Sequence, residues 1–60
     1  MLKREEMKNR IANALGLENR CVVEFFRLCD EYEDSDWNNK CLNGIFDNMM
    51  SIMNIITFME

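Results

Sequence analysis

Apolar residues recur along the C-terminal third of this chain at helical spacing. Six of them follow one another at alternating intervals of three and four: Leu42, Ile45, Met49, Ile52, Ile56 and Met59. That alternation is a heptad seam, which is typical of a helix that packs lengthwise against a neighbour. The chain contains no proline and no strand-like alternation of apolar and polar residues, so we expect an all-α fold.

The pattern predicts three helices joined by short turns. Their expected ranges are about 3–15, 20–32 and 37–58. Gly16 stands where the first helix would end in a left-handed residue, and Asn19 is placed to cap the second helix. Ser35 or Asp36 can cap the third. Gly44 costs the third helix about 1 kcal/mol relative to alanine and leaves open a break after a short first turn.

The apolar faces of the three helices differ in width. The first helix offers only a narrow seam, whereas the faces of the second and third each cover about half of the helix circumference. A three-helix, hairpin-like bundle would therefore leave one flank of the third helix uncovered, and we expect that flank to form a dimer interface. The alternative is that the helices close over one another and leave an apolar surface.

The predicted oligomer or partner interface consists of the apolar residues of the third helix. They are Leu42, Ile45, Met49, Met50, Ile52, Met53, Ile56, Phe58 and Met59. Met50 and Phe58 fall on the polar side of this helix, beside a stripe that includes Asn43 and Asp47. We therefore expect these two to make external contacts.

Length and cysteine usage support association as the source of stability. A chain of 60 residues buries a small core and usually needs a disulfide, a metal ion or oligomerisation. Cys21, Cys29 and Cys41 are odd in number, contain no C-x-x-C pair and are accompanied by no histidine. We expect reduced, buried thiols, no metal site, no cofactor and a cytoplasmic location. Oligomerisation or binding to a protein partner therefore remains as the source of additional stability.

Charge and motifs favour binding over catalysis. Residues 1–28 hold six basic and four acidic side chains, whereas residues 29–60 hold one basic and seven acidic side chains. The chain has no glycine-rich phosphate loop, and its cysteines lack a histidine base. We therefore expect a small non-catalytic inhibitor, adaptor or regulatory subunit that binds an unidentified protein. The acidic stretch 30–36 suits a partner with a basic surface.

The apolar C-terminal segment is not expected to cross a membrane. Residues 41–59 approach the length of a membrane span, but Asp47 alone would cost about 2.5–3.5 kcal/mol at its centre. No basic residue follows the segment to anchor it.

Residues 8–27 resemble a helix-turn-helix motif. The residues that carry the resemblance are Ala12 in the first helix, Gly16 in the turn, and Val22 and Phe25 beyond it. The resemblance implies that the second helix is a recognition helix in the major groove of DNA. Its groove-facing residues would be Asn19, Arg20, Val23, Glu24 and Arg27. This gives an alternative function, a DNA-binding transcriptional regulator whose third helix serves as a dimerisation arm.

Overall fold

The computed structural model describes the backbone of residues 1–59 and the side chains of residues 1–53 as three packed α-helices. They are α1 (Arg4–Leu15), α2 (Arg20–Glu31) and α3 (Asp36–Met59). Each helix contacts both of the others. The prediction of an all-α, three-helix fold is confirmed. α3 passes through Gly44 without a break, so the possible division of this helix does not occur.

Local chemistry ends one helix and starts the next. Gly16 adopts a φ of 89° and donates its N–H to the Ala12 carbonyl at 2.8 Å. Its ψ of 149° is extended, so the positive φ is as predicted but the residue is not left-handed helical. The Asn19 side chain accepts the Cys21 N–H at 2.8 Å, which confirms it as the cap of α2. At α3, the Ser35 hydroxyl accepts the Asn38 N–H at 3.2 Å.

The core is a single cluster that draws on all three helices. Its buried members are Met7, Ile11, Val22, Phe25, Cys29, Leu42 and Phe46. The rings of Phe25 and Phe46 lie 6.3 Å apart, inclined at 47°, which is a favourable aromatic arrangement and joins α2 to α3. Among the described residues, the buried contribution of α3 is confined to its first half.

Two polar side chains hold the start of α1 against the rest of the bundle. The Arg4 guanidinium donates to the carbonyl oxygens of Cys29, Tyr32 and Glu33 at the end of α2, and to the Asn39 side chain. It therefore supplies the positive charge that α2 lacks in its own last turn. Asn43 of α3 binds the backbone N–H and carbonyl of Leu2, which precedes α1. Asn43 therefore joins the polar stripe of α3 to the N-terminal segment of the chain.

Only one of the three cysteines is buried. Cys29 belongs to the core, whereas Cys21 and Cys41 are exposed thiols, so the expectation of three buried thiols is wrong for these two. Within the described part of the chain, acidic and cysteine side chains form no group that could hold a metal ion. In the same part, no helix combines the length and the apolar character needed to cross a membrane.

Candidate functional site

An open apolar groove runs between α2 and α3. Its first stretch encloses about 370 Å³ and is lined by Arg20, Cys21, Glu24, Phe25, Leu28, Ile45 and Met49. Its second stretch encloses about 180 Å³ and is lined by Leu15, Asn19, Cys21, Met49, Ile52 and Met53. Cys21 and Met49 line both stretches, so the two meet there and form one continuous surface, here named the α2–α3 groove.

The groove follows from the breadth of the apolar faces of its two helices. On α2, Cys21, Phe25 and Leu28 are spaced by four and three residues, which places them along one side. On α3, Ile45, Met49 and Ile52 are likewise spaced by four and three residues. Each helix uses part of its apolar face for the core, and the remaining flank borders the groove.

The start of α1 lies on the opposite flank of α3, and α1 borders the groove only with its last residue, Leu15. Asn43, which binds Leu2, is two residues before Ile45, and residues two apart project in widely different directions on a helix. Because the start of α1 is held at the Asn43 flank, the Ile45 flank of α3 stays open. Ile45 is 38% exposed and Ile52 is 58% exposed. Such a row of exposed branched apolar side chains is typical of an interaction site.

The structure divides the residues of the predicted interface. Ile45, Met49, Ile52 and Met53 line the groove. Leu42 is only 3% exposed because it packs in the core of its own chain, so it offers no surface to a partner. The last three members, Ile56, Phe58 and Met59, have side chains outside the described residues.

Met50 requires a correction. It was expected to make external contacts because it falls beside polar residues on the helix. Instead it is half-buried and packs against the core cluster, as Leu2 does. The physical reason is that the start of α1 is held at this flank through Asn43. The flank therefore joins helices within the chain.

Several surface residues near the groove were not assigned to the predicted interface. Cys21 and Leu28 lie at the edge of the apolar face of α2 and line the groove. At such an edge, helical periodicity alone does not show whether a side chain packs in the core or borders the groove. On α3, Trp37 is 71% exposed and Cys41 is also exposed. They precede Ile45 at successive intervals of four, so they extend its side of the helix toward the N-terminus.

Two opposite charges border the first stretch of the groove on α2. Arg20 and Glu24 stand one helical turn apart. Glu24 accepts from Arg27 at 2.8 Å, on the side away from the groove. In the part of the chain whose side chains are described, Arg20 enters no salt bridge. The rim of the groove thus carries one positive and one negative side chain.

The residues implied by the helix-turn-helix resemblance are divided between different roles. The Asn19 side chain caps α2, Arg20 and Glu24 line the groove, and Val23 is 52% exposed. Arg27 is held by Glu24 and by Glu31, each at 2.8 Å. These hydrogen bonds raise the pKa of Arg27 above its ordinary value, because the two carboxylates favour its charged form.

The acidic side chains around Arg27 determine the surface charge of α2, the predicted recognition helix. The cation of Arg27 is flanked by two anions on the exposed surface, and Asp30 adds a third acidic side chain beyond them. A DNA-binding helix ordinarily presents a net positive surface to the phosphates. Comparison with protein-family models, curated proteins and solved structures found no match to this chain.

Proposed function

We propose that this chain is a small, non-catalytic protein-binding module that self-associates through the α2–α3 groove. The observation that carries the proposal is the groove itself: it exposes Ile45 and Ile52 while the start of α1 is held on the other side of α3. Burying these side chains against a second chain would remove apolar surface from water, at about 25 cal/mol for each Å².

The size of the core favours association. Seven residues form the buried cluster of the described chain, and a domain of this length is marginally stable alone. α3 is 24 residues long, about 36 Å, whereas α1 and α2 are 12 residues each, about 18 Å. Two helices of that length cover about half of a helix as long as α3 if they lie side by side. A second copy would supply further cover.

In this proposal the module acts on other proteins as an inhibitor, adaptor or regulatory subunit. The support is the charge distribution, since exposed acidic side chains lie in the α2–α3 connection, Glu33 and Asp34, and at the first residue of α3, Asp36. A partner with a basic surface would complement it. Self-association leaves this segment free, because none of the three residues lines the α2–α3 groove.

Sedimentation equilibrium over a range of protein concentrations tests the self-association. We expect the wild type to be dimeric and Ile52→Asp to be monomeric, because the substitution places a charge among apolar side chains in the groove. The matched control is Val23→Asp. Val23 is exposed to a similar extent, 52% against 58%, but lies outside the groove.

The control separates a groove effect from a general effect of an added carboxylate. Val23→Asp should dimerise as the wild type does, and circular dichroism should show both variants to be helical. A wild type that stays monomeric and well folded at the highest concentrations would contradict the proposal. Equal loss of the dimer in both variants would also contradict it.

DNA binding through residues 8–27 remains the alternative proposal. It is supported by the helix–turn–helix sequence pattern and by the exposure of Val23 and Arg20 on α2. The engagement of Arg27 by two carboxylates weighs against it. An electrophoretic mobility shift on mixed duplex DNA at low salt tests it, because electrostatic binding is strongest there. No shift at tens of micromolar protein would exclude the alternative.

A further inference from the structure

Resting on the proposed self-association, we infer that the α2–α3 groove pairs with a second copy about a twofold axis at the level of Cys21 and Met49. The axis crosses α2 and α3 at right angles, so each helix faces its own antiparallel copy. In this arrangement Arg20 of one subunit lies opposite Glu24 of the other, and Ile45 lies opposite Ile52 of the other.

The charges on the rim of the groove point to a second copy as its occupant. An interface between identical subunits must be self-complementary: if residue i contacts residue j, then j contacts i. Arg20 and Glu24 have opposite charge and stand one turn apart on the same helix. Antiparallel pairing of α2 with its copy about a point midway between them brings each cation against one anion of the other subunit, so the pair occurs twice in the dimer.

The apolar residues of α3 give the same position for the axis independently. Ile45 and Ile52 are the exposed isoleucines of the groove, and the midpoint between them falls beside Met49. On α2, the midpoint between Arg20 and Glu24 falls next to Cys21. Cys21 and Met49 both line the two stretches of the groove, so these levels coincide along it. One axis therefore satisfies both pairings.

Charge reversal tests the register. Arg20→Glu would place two glutamates of one subunit opposite two of the other, and Glu24→Arg would do the same with arginines. Each Arg20–Glu24 pair at the rim is exposed, and exposed ion pairs contribute modestly to binding. Because the dimer is symmetric, however, one substitution changes both pairs. We expect each single variant to dimerise about tenfold more weakly at low salt, with a smaller effect at high salt.

Two further samples make the charge test specific. The double variant Arg20→Glu/Glu24→Arg has the composition and net charge of the wild type, and we expect it to dimerise as tightly. A mixture of the two single variants should form the heterodimer in preference to either homodimer, because every pair across the interface is then of opposite charge. Native mass spectrometry distinguishes these species because the single variants differ in mass.

The outcomes separate this inference from the proposed function. Single variants that dimerise like the wild type, while Ile52→Asp does not, would overturn the register and leave the groove as the interface. Weakened single variants without recovery in the double variant or the mixture would also overturn the register. A monomeric wild type would overturn both proposals. Circular dichroism of every variant checks that a loss of dimer is not a loss of fold.

Crosslinking supplies a second measurement of the axis. A short bismaleimide, which joins two thiols as thioethers, should link the subunits through Cys21, the exposed cysteine nearest the axis. Cys41, the other exposed thiol, stands eight residues before Met49 on α3 and lies away from the axis. We expect covalent dimer from the wild type and from Cys41→Ser, and little from Cys21→Ser. Crosslinking that depends on Cys41 instead would overturn the register.

Discussion

The side-chain amide of Asn43 pairs with both backbone groups of Leu2. Its Oδ1 accepts the Leu2 N–H at 2.9 Å, and its Nδ2 donates to the Leu2 carbonyl at 3.0 Å. The same Nδ2 also donates to the Asn39 carbonyl at 2.8 Å. This pairing joins residues 41 apart in sequence and determines which flank of α3 receives the start of α1.

Asn43→Asp should destabilise the fold, because a carboxylate replaces the donor that faces two carbonyl oxygens. We expect a loss of about 1–3 kcal/mol at neutral pH. Protonation of the introduced carboxylate restores a donor, so the loss should shrink at acidic pH. The exposed Asn48→Asp is the control and should change stability by less than about 0.5 kcal/mol. Thermal unfolding at one fixed protein concentration measures both, and equal losses would contradict the pairing.

Arg4→Met should lower stability by about 2–3 kcal/mol. The guanidinium is half-buried and donates to carbonyls in the last turn of α2 and beyond it, at 2.6 Å to both Tyr32 and Glu33. Methionine keeps much of the side-chain volume but leaves those acceptors without a charged donor. Arg10→Met removes only an exposed pair with Glu6 and should cost less than about 0.5 kcal/mol. Urea unfolding compares them, and similar midpoints would contradict the role of Arg4.

The two glycines should respond to alanine in opposite directions. A Cβ at Gly44 meets nothing within 4 Å, so Gly44→Ala should stabilise α3 by about 1 kcal/mol through its helix propensity. A Cβ at Gly16 also meets nothing, but the φ of 89° disfavours any L side chain there. Gly16→Ala should therefore destabilise by about 1 kcal/mol or more. Melting temperatures should move apart by several degrees for each kcal/mol, and movement in the same direction would be unexpected.

The three thiols should react at different rates. Burial raises the pKa of Cys29 above its ordinary value of 9.0, so less of the nucleophilic thiolate is present. We expect two thiols of the native monomer to react quickly with a disulfide reagent at pH 8, and Cys29 to react only on unfolding. Three fast thiols in the folded protein would contradict its burial.

The raised pKa of Cys29 also predicts a pH dependence of stability. The folded state holds this proton more tightly than the unfolded state, so the contribution is fully present below the unfolded pKa. It is lost as the pH rises through the folded pKa. Stability should therefore decline above about pH 9, the ordinary pKa of this thiol. Cys29→Ala should reduce the slope of that decline, which urea unfolding at pH 8 and pH 10 can measure.

The ends of the helices could be predicted from sequence because short-range chemistry sets them. Gly16 supplies a positive φ, Asn19 caps the Cys21 N–H at the start of α2, and Ser35 caps the Asn38 N–H at the start of α3. Each of these effects acts over two to four residues, so both interacting residues lie within a short segment of the sequence. The three helices, and the breadth of the apolar faces of α2 and α3, follow from such local information.

The use of each flank could not be predicted, because it depends on contacts between residues distant in sequence. Leu42 belongs to the core, and Ile45 and Ile52 border the groove, although all three lie on one broad apolar face. Helical periodicity specifies that face but not the side from which a neighbour approaches.

The sequence by itself determined that this protein is helical, where its helices begin and end, and that α3 carries more apolar surface than a narrow α1 can cover. Only the tertiary structure decided which surface stays open. Arg4 and Asn43 hold α1 against the end of α2 and one flank of α3, through hydrogen bonds between residues 25 or more apart. Once the start of α1 is held there, the groove on the other flank stays open.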